Sequence, residues 1–306
     1  MVFKVEKKIV YFDREKGELS VERVFGKSWI IFLYSSSIFG YLLRLIVSHC
    51  PLFSRAYGWW HSLWLTRKKV LPFIRQFSLN PSEFLLSPKE FTSFQSFFMR
   101  KLRPESRPIR KENERLIAPA DGRYLYFSDV NQLQHQFIKG RRFSLSSLLR
   151  NTTLAKAYAN SSLILARLAP VDCHRFLFPC AGQASATQLI SGKLCSVNPI
   201  ALWKEIAILC ENRRFFCEIV SNLWGRILMI EIGATHVGSV HYTYRPNADV
   251  DKGQEKGVFS LGGSAILLLI SSSLFLPDQD LKEHSGQCRE VRCLMGQSLG
   301  RWVESP

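Results

Sequence analysis

The chain has 306 residues, 46% of them hydrophobic and 22% charged, which excludes a disordered protein and provides for a substantial core without disulfides. That length holds one large domain or two ordinary ones. A net charge of +16 asks for an anionic partner, either nucleic acid or an acidic membrane.

The charge is concentrated: between Pro51 and Lys111, twelve Lys/Arg face three Asp/Glu. The eight cysteines form no CxxC pair and lie mostly in apolar runs. They read as buried free thiols in a reducing compartment rather than a zinc site or a disulfide framework. No secretory signal opens the chain, since residues 1–20 are charged and mixed.

The first 25 residues alternate weakly around a Glu-Lys-Gly turn and predict a short strand or hairpin. The longest apolar window runs from Trp29 to Val47, interrupted by Ser35, Ser36, Ser37, Gly40 and Arg44. Its 19 residues lie at the border of a bilayer span, and Arg44 is near enough to its end to snorkel. Tyr57, Trp59, Trp60 and Trp64 follow, and then Arg67-Lys68-Lys69. Aromatics beside cations suit a helix lying in the headgroup region. Peripheral or monotopic attachment is the first reading, a single span the second and a buried soluble helix the third. Nucleic-acid binding explains the charge but not the apolar window.

Ser87-Pro88-Lys89-Glu90 has the form of a capped helix start. Phe91, Phe94, Phe97 and Phe98 then recur on one helical face until Pro104 ends the helix. Beyond Leu116, short apolar runs alternate with Gly, Asn, Asp and Pro. Strands are predicted at 124–127, 163–168, 215–220, 227–232, 238–243 and 265–270, with a short helix capped by Ser144. The fold class is therefore α+β: amino-terminal membrane-docking helices in residues 1–90, then a β-rich core in 91–306. The chain contains no internal repeat, GxGxxG, P-loop or HExxH, and no metal-ligand set.

Several stretches offer chemistry. Pro119-Ala120-Asp121-Gly122 is a tight turn. Either Asp121 only bonds its own backbone there, or it holds a histidine in one tautomer. His174 sits between Asp172 and Arg175 in an apolar run, as a core histidine or a proton carrier. Gly233-Ala234-Thr235-His236-Val237-Gly238-Ser239 suggests a bulge or a close backbone approach. Lys252-Gly253-Gln254-Glu255-Lys256-Gly257 has the composition of a flexible solvated loop. Gly262-Gly263-Ser264 reads locally as a turn into a buried strand.

In this order and spacing, these motifs resemble the phosphatidylserine decarboxylase proenzymes. The resemblance runs from about Phe91 to Gly300. It also takes in Phe98-x-Arg100, His174-Arg175-Phe176 with Pro179, Asn212-x-Arg214 and Met295-Gly296-Gln297. It implies that Ser264 attacks the carbonyl of Gly263 and the chain is cut between them. A β chain of residues 1–263 and an α chain of residues 264–306 result, the latter opening with a pyruvoyl group made from Ser264. That group supplies the electron sink for decarboxylating phosphatidylserine to phosphatidylethanolamine, the part pyridoxal phosphate plays elsewhere. Asp121, His174 and Ser264 are the implied catalytic residues, with His174 as the acid.

The implied partners are phosphatidylserine, an anionic membrane surface and the two chains of one precursor. Nucleic acid is not among them, and a homodimer is the assembly to test. The implied location is the cytoplasmic face of the cell membrane. The alternatives are a pyruvoyl-dependent decarboxylase of a soluble amino acid, or a non-catalytic membrane adaptor retaining the fold. The chain departs from the family at one position. The pattern His-Arg-x-His-x-Pro has its first histidine at His174, but Leu177 stands at the second. The partner of Ser264 in self-cleavage is then His174 or another group such as His236.

Overall fold

The computed structural model describes residues 8–35, 37–49, 51–130, 143–234, 240–262 and 264–304, without the side chains of 49 and 51–55. Gly263 and His236 lie outside the described residues. The strands are β1 (Val10–Asp13), β2 (Glu18–Val21), β3 (Arg115–Ile117), β4 (Gly122–Phe127), β5 (Ser161–Leu168), β6 (Arg175–Leu177), β7 (Gly182–Ala184), β8 (Gln188–Ile190) and β9 (Arg214–Ser221). They continue with β10 (Gly225–Gly233), β11 (Val240–Tyr242), β12 (Ala248–Val250), β13 (Glu255–Phe259), β14 (Ser264–Ser271), β15 (Phe275–Pro277), β16 (Val291–Cys293) and β17 (Ser298–Trp302). One large sheet has the order β12-β7-β9-β10-β14-β5-β4-β16-β1-β2, with β8 also on β9.

The central strands β5, β10 and β14 are apolar at nearly every position because both faces are covered. Leu163, Leu165, Ile230, Ala265 and Leu267 face one core. Short helices pack over it, among them Leu145–Leu149, capped by Ser144 as the sequence predicts. Ile164, Ala166, Met229, Ile266 and Leu268 face a second core. This one is closed by two three-stranded sheets, β11-β13-β6 and β15-β17-β3. The alternation of side chains along a strand makes the division. The α+β expectation holds, and the amino-terminal hairpin β1–β2 extends the large sheet through β16.

The apolar window is not one helix. It divides into α1 (Lys27–Leu33) and α2 (Ile38–His49), bent by 102°. Ser35 turns back to donate to the Phe32 carbonyl at 2.7 Å. Gly40 lets α2 cross there, since a Cβ on it would lie 2.2 Å from the same carbonyl oxygen. Among the described residues no single helix is long and apolar enough to cross a membrane. Next come α3 (Pro51–Ser62), a 3-10 turn over Trp64–Lys69 and α4 (Val70–Phe77).

The Phe-rich helix is shorter than its periodicity predicts. It is α5, Phe94–Phe98, and Ser93 starts it by a reciprocal cap with Ser96. Extended backbone at Ser93 stops the helix from reaching Ser87, where the predicted cap survives only as a turn, Glu90 accepting from the Ser87 N–H at 2.6 Å. The phenylalanines still share one cluster with Phe73, Ile74 and Leu261. Edge-on pairs such as Phe91–Phe97, at 5.4 Å and 80°, fix their geometry.

Candidate active site

Ser264 opens β14, between Gly233 of β10 and Leu168 of β5. Strands on both sides leave it little freedom, and it is fully buried. Two residues before it, Gly262 has φ 134°, a conformation that residues with a Cβ rarely adopt. The Ser264 hydroxyl faces the second core, on the side of Ile266 and Leu268.

His174 comes to the same point from the turn before β6. Its Nδ1 lies 3.2 Å from Ser264 Oγ, and its Nε2 lies 3.1 Å from the Ala169 carbonyl oxygen. A carbonyl only accepts, so Nε2 carries the ring proton and Nδ1 presents a lone pair to the serine hydroxyl. Phe98 stacks on the imidazole at 4.0 Å, and Phe259 meets it edge-on at 6.5 Å. Burial, then the Arg100 charge, push the imidazole down to about 3, against the Ala169 hydrogen bond. The ring is therefore neutral at ordinary pH.

Arg100 itself is buried and, among the described residues, pairs with no carboxylate. It donates to the carbonyls of Val171 (2.8 Å) and Asp172 (3.2 Å), fixing the segment that carries His174. Its guanidinium lies over the rings of Phe84 and Phe97.

Among the described residues Asp121 meets no histidine. Its carboxylate accepts from Arg107 Nε (2.8 Å) and Nη2 (2.8 Å), and from the Met295 N–H (2.9 Å). Leu177 is buried at the second histidine position, and the Arg107 that holds the carboxylate also reaches Glu83 at 2.9 Å. Asp121 thus ties the Pro119–Gly122 turn to the Met295–Gln297 turn. Asp172 pairs with Arg123 and accepts from the Ala169 N–H at 2.7 Å, which shapes the loop whose carbonyl holds His174. Asn212 donates to the carbonyls of Cys195 and Gly233, both at 2.8 Å, so it anchors the residue opposite Ser264.

The lysine-glycine stretch is not a solvated loop. From Glu255 it is β13, and Lys256 is fully buried against Glu231, whose other oxygen accepts from Tyr242 Oη at 3.0 Å. The cysteines are free thiols among the described residues, most of them buried, and burial pushes Cys180 up to about 12.

A model of the family described as phosphatidylserine decarboxylase matches residues 94–301. The chain belongs to this family. It is 40% identical over 291 residues to the phosphatidylserine decarboxylase proenzyme of Chlamydia pneumoniae, covering 95% of this chain and 96% of that one. It is 41% identical to the proenzyme of Chlamydia caviae (96% of this chain, 98% of that one) and 41% identical to that of Chlamydia muridarum (97% and 98%). Phe94–Phe98, the Asp121 turn, His174, the lysine-glycine stretch and Ser264 all fall within residues 94–301. Of the two arginines that shape the site, Arg100 entered the resemblance only within Phe98-x-Arg100, without a role, and Arg107 not at all. Arg100 and Arg107 stand among the cations of residues 100–111, where nothing local separates a buried guanidinium from a surface charge.

Next to the site is a cavity of about 450 Å³. Its lining includes Gly262, Leu168, Ala169 and Phe98, with Trp29 of α1, Tyr57 of α3 and Phe73 of α4.

Proposed function

We propose that Ser264 and His174 carry out the self-cleavage of a pyruvoyl-dependent phosphatidylserine decarboxylase. The contact of 3.2 Å between Ser264 Oγ and a lone-pair-bearing Nδ1 carries this reading. His174 takes the hydroxyl proton as Oγ attacks the Gly263 carbonyl, then passes it to the departing Ser264 nitrogen. An ester replaces the amide and the imidazole is neutral again, available for the Ser264 α-proton. Elimination leaves a carboxylate on Gly263. The dehydroalanine at 264 takes up water and releases ammonia as the pyruvoyl group forms, and that group supplies the electron sink for loss of CO₂. His174 serves the step for which the family's second histidine is absent here, and Asp121 positions the surrounding turns rather than the imidazole.

Intact mass spectrometry and the Ser264→Ala variant test this reading. The wild type should give a 1–263 fragment and a 264–306 fragment blocked at its amino terminus. Ser264→Ala should give one uncut chain of 35.2 kDa without decarboxylase activity. The fragments should copurify until denatured, because β14 stays paired with β10 and β5, and β16 with β4 and β1. An active, uncut wild-type chain would remove Gly263-Ser264 as the cleavage site.

The amino-terminal helices supply the membrane contact in this reading. Ile38 (75% exposed) and Phe39 (77%), with Trp59, Trp60 and Trp64, leave large apolar side chains in contact with solvent, the kind of residue a membrane contact uses. Arg67, Lys68 and Lys69 follow Trp64 in the same 3-10 turn. Each cation near an anionic surface adds about 1 kcal/mol, and the exposed rings suit the interface. Replacing Ile38, Phe39, Trp59 and Trp60 with serine should shift the protein from the pellet to the supernatant in sedimentation with anionic vesicles. An unchanged pellet would count against these helices as the docking surface.

A further inference from the structure

The apolar cavity holds a cation for which the self-cleavage chemistry has no use. The charged side chains among its described lining are Glu22, Arg23 and Arg167. Two of them are saturated. Arg167 is held between Glu22 and Glu290 by four hydrogen bonds of 2.5 to 3.1 Å, and Glu22 also lies 3.6 Å from Arg123. Arg23 is exposed and, among the described residues, donates only to the Gln76 carbonyl, at 3.4 Å. No carboxylate among the described residues pairs with it.

A phosphatidylserine whose amine reaches residue 264 brings its phosphodiester with it, two carbons and one oxygen away. The chemistry consumes the carboxylate, but the phosphodiester keeps its charge from substrate through product. An unpaired anion in an aromatic-walled cavity is costly, so it needs a cation there. Glu22, locked by Arg167, pins the backbone of Arg23 at the cavity wall, and a guanidinium matches two phosphate oxygens at once. We propose that Arg23 binds the phosphodiester of the lipid headgroup in this cavity, an inference that rests on the lipid-decarboxylase reading above.

The test is steady-state kinetics of self-cleaved wild type, Arg23→Gln and Arg23→Lys on two substrates: a short-chain, water-soluble phosphatidylserine below its micellar concentration, and phosphatidylserine in vesicles. Arg23→Gln should cut itself normally, keep kcat within about twofold and raise KM for the soluble substrate about tenfold, the low end for a charged hydrogen bond at an exposed site. Arg23→Lys should fall between. An unchanged KM for the soluble substrate overturns the assignment. So does a rise confined to vesicles with weaker sedimentation, which would make Arg23 a membrane-surface charge. An uncut Arg23→Gln chain overturns it too, placing the residue in folding or processing. Failure of the lipid reading has a separate signature: wild type that decarboxylates neither substrate.

Discussion

Replacing His174 with alanine is expected to slow self-cleavage by roughly 10²- to 10⁴-fold, the range for loss of a positioned general base. On a gel the variant should remain a single chain while the wild type separates into two. The pH dependence adds a sharper expectation. Burial and the Arg100 charge hold the imidazole down to about 3, so wild-type cleavage should stay nearly level from about pH 8 to about pH 5, well below where an ordinary histidine would titrate. Exchanging Arg100 for glutamine removes the positive neighbour, and the acid limb should then move to higher pH. A purely structural loss would lower the rate at every pH without moving the limb. The same group affects stability. A depressed histidine binds fewer protons folded than unfolded, so its contribution is complete above about 6.5 and is lost as pH falls toward about 3. The loss is at most about 1.4 kcal/mol for each pH unit in that window. Time courses of cleavage after cell-free synthesis, run across pH, read all of this. A wild-type limb centred near 6.5 would sink the neutral-base account, and normal cleavage by His174→Ala would remove His174 from the reaction.

Where both faces of a strand are buried, the sequence was legible. The runs at 163–168, 227–232 and 265–270 are apolar at almost every position, and they are the three central strands. The hairpin near the amino terminus was legible from its turn, and the Ser144 helix from its cap. Long-range pairing was not. Asp121 looked suited to a histidine because its turn is the same whichever cation completes it. Only the fold brings Arg107 across from a stretch that reads as surface charge. Residues 29–47 were apolar enough to suggest one helix, but the break depends on Ser35 bonding back to Phe32 and on the space Gly40 leaves. Lys256 misled for a related reason. Polar neighbours on both sides made it read as solvent-facing, while its carboxylate partner, Glu231, is hidden 25 residues earlier in an apolar strand.

That buried pair carries the largest expected effect on stability. Lys256 and Glu231 are both fully inaccessible, Glu231 on the face of the large sheet that also carries Ser264 and Lys256 on β13 of a three-stranded sheet. The rings of Phe176, Phe178, Tyr242 and Tyr244 lie 5.2 to 6.0 Å from the ammonium. Removing two charges from water is expensive, and their attraction offsets the cost only while both are present. Burial already pushes the Glu231 carboxyl up despite Lys256 and the Tyr242 hydrogen bond. Lys256→Met alone strands a carboxylate beneath Phe176 and Tyr242 and should cost about 3–5 kcal/mol. The double variant, Lys256→Met with Glu231→Leu, strands neither charge and leaves only the Tyr242 hydroxyl to find a new partner. It should recover most of that loss. Urea unfolding of the four proteins, all carrying Ser264→Ala so that every chain is uncut, gives the coupling directly. Losses that add independently would show that the pair is two separate buried groups. A strongly non-additive cycle would show that Lys256 is tolerated in this core only because Glu231 is there.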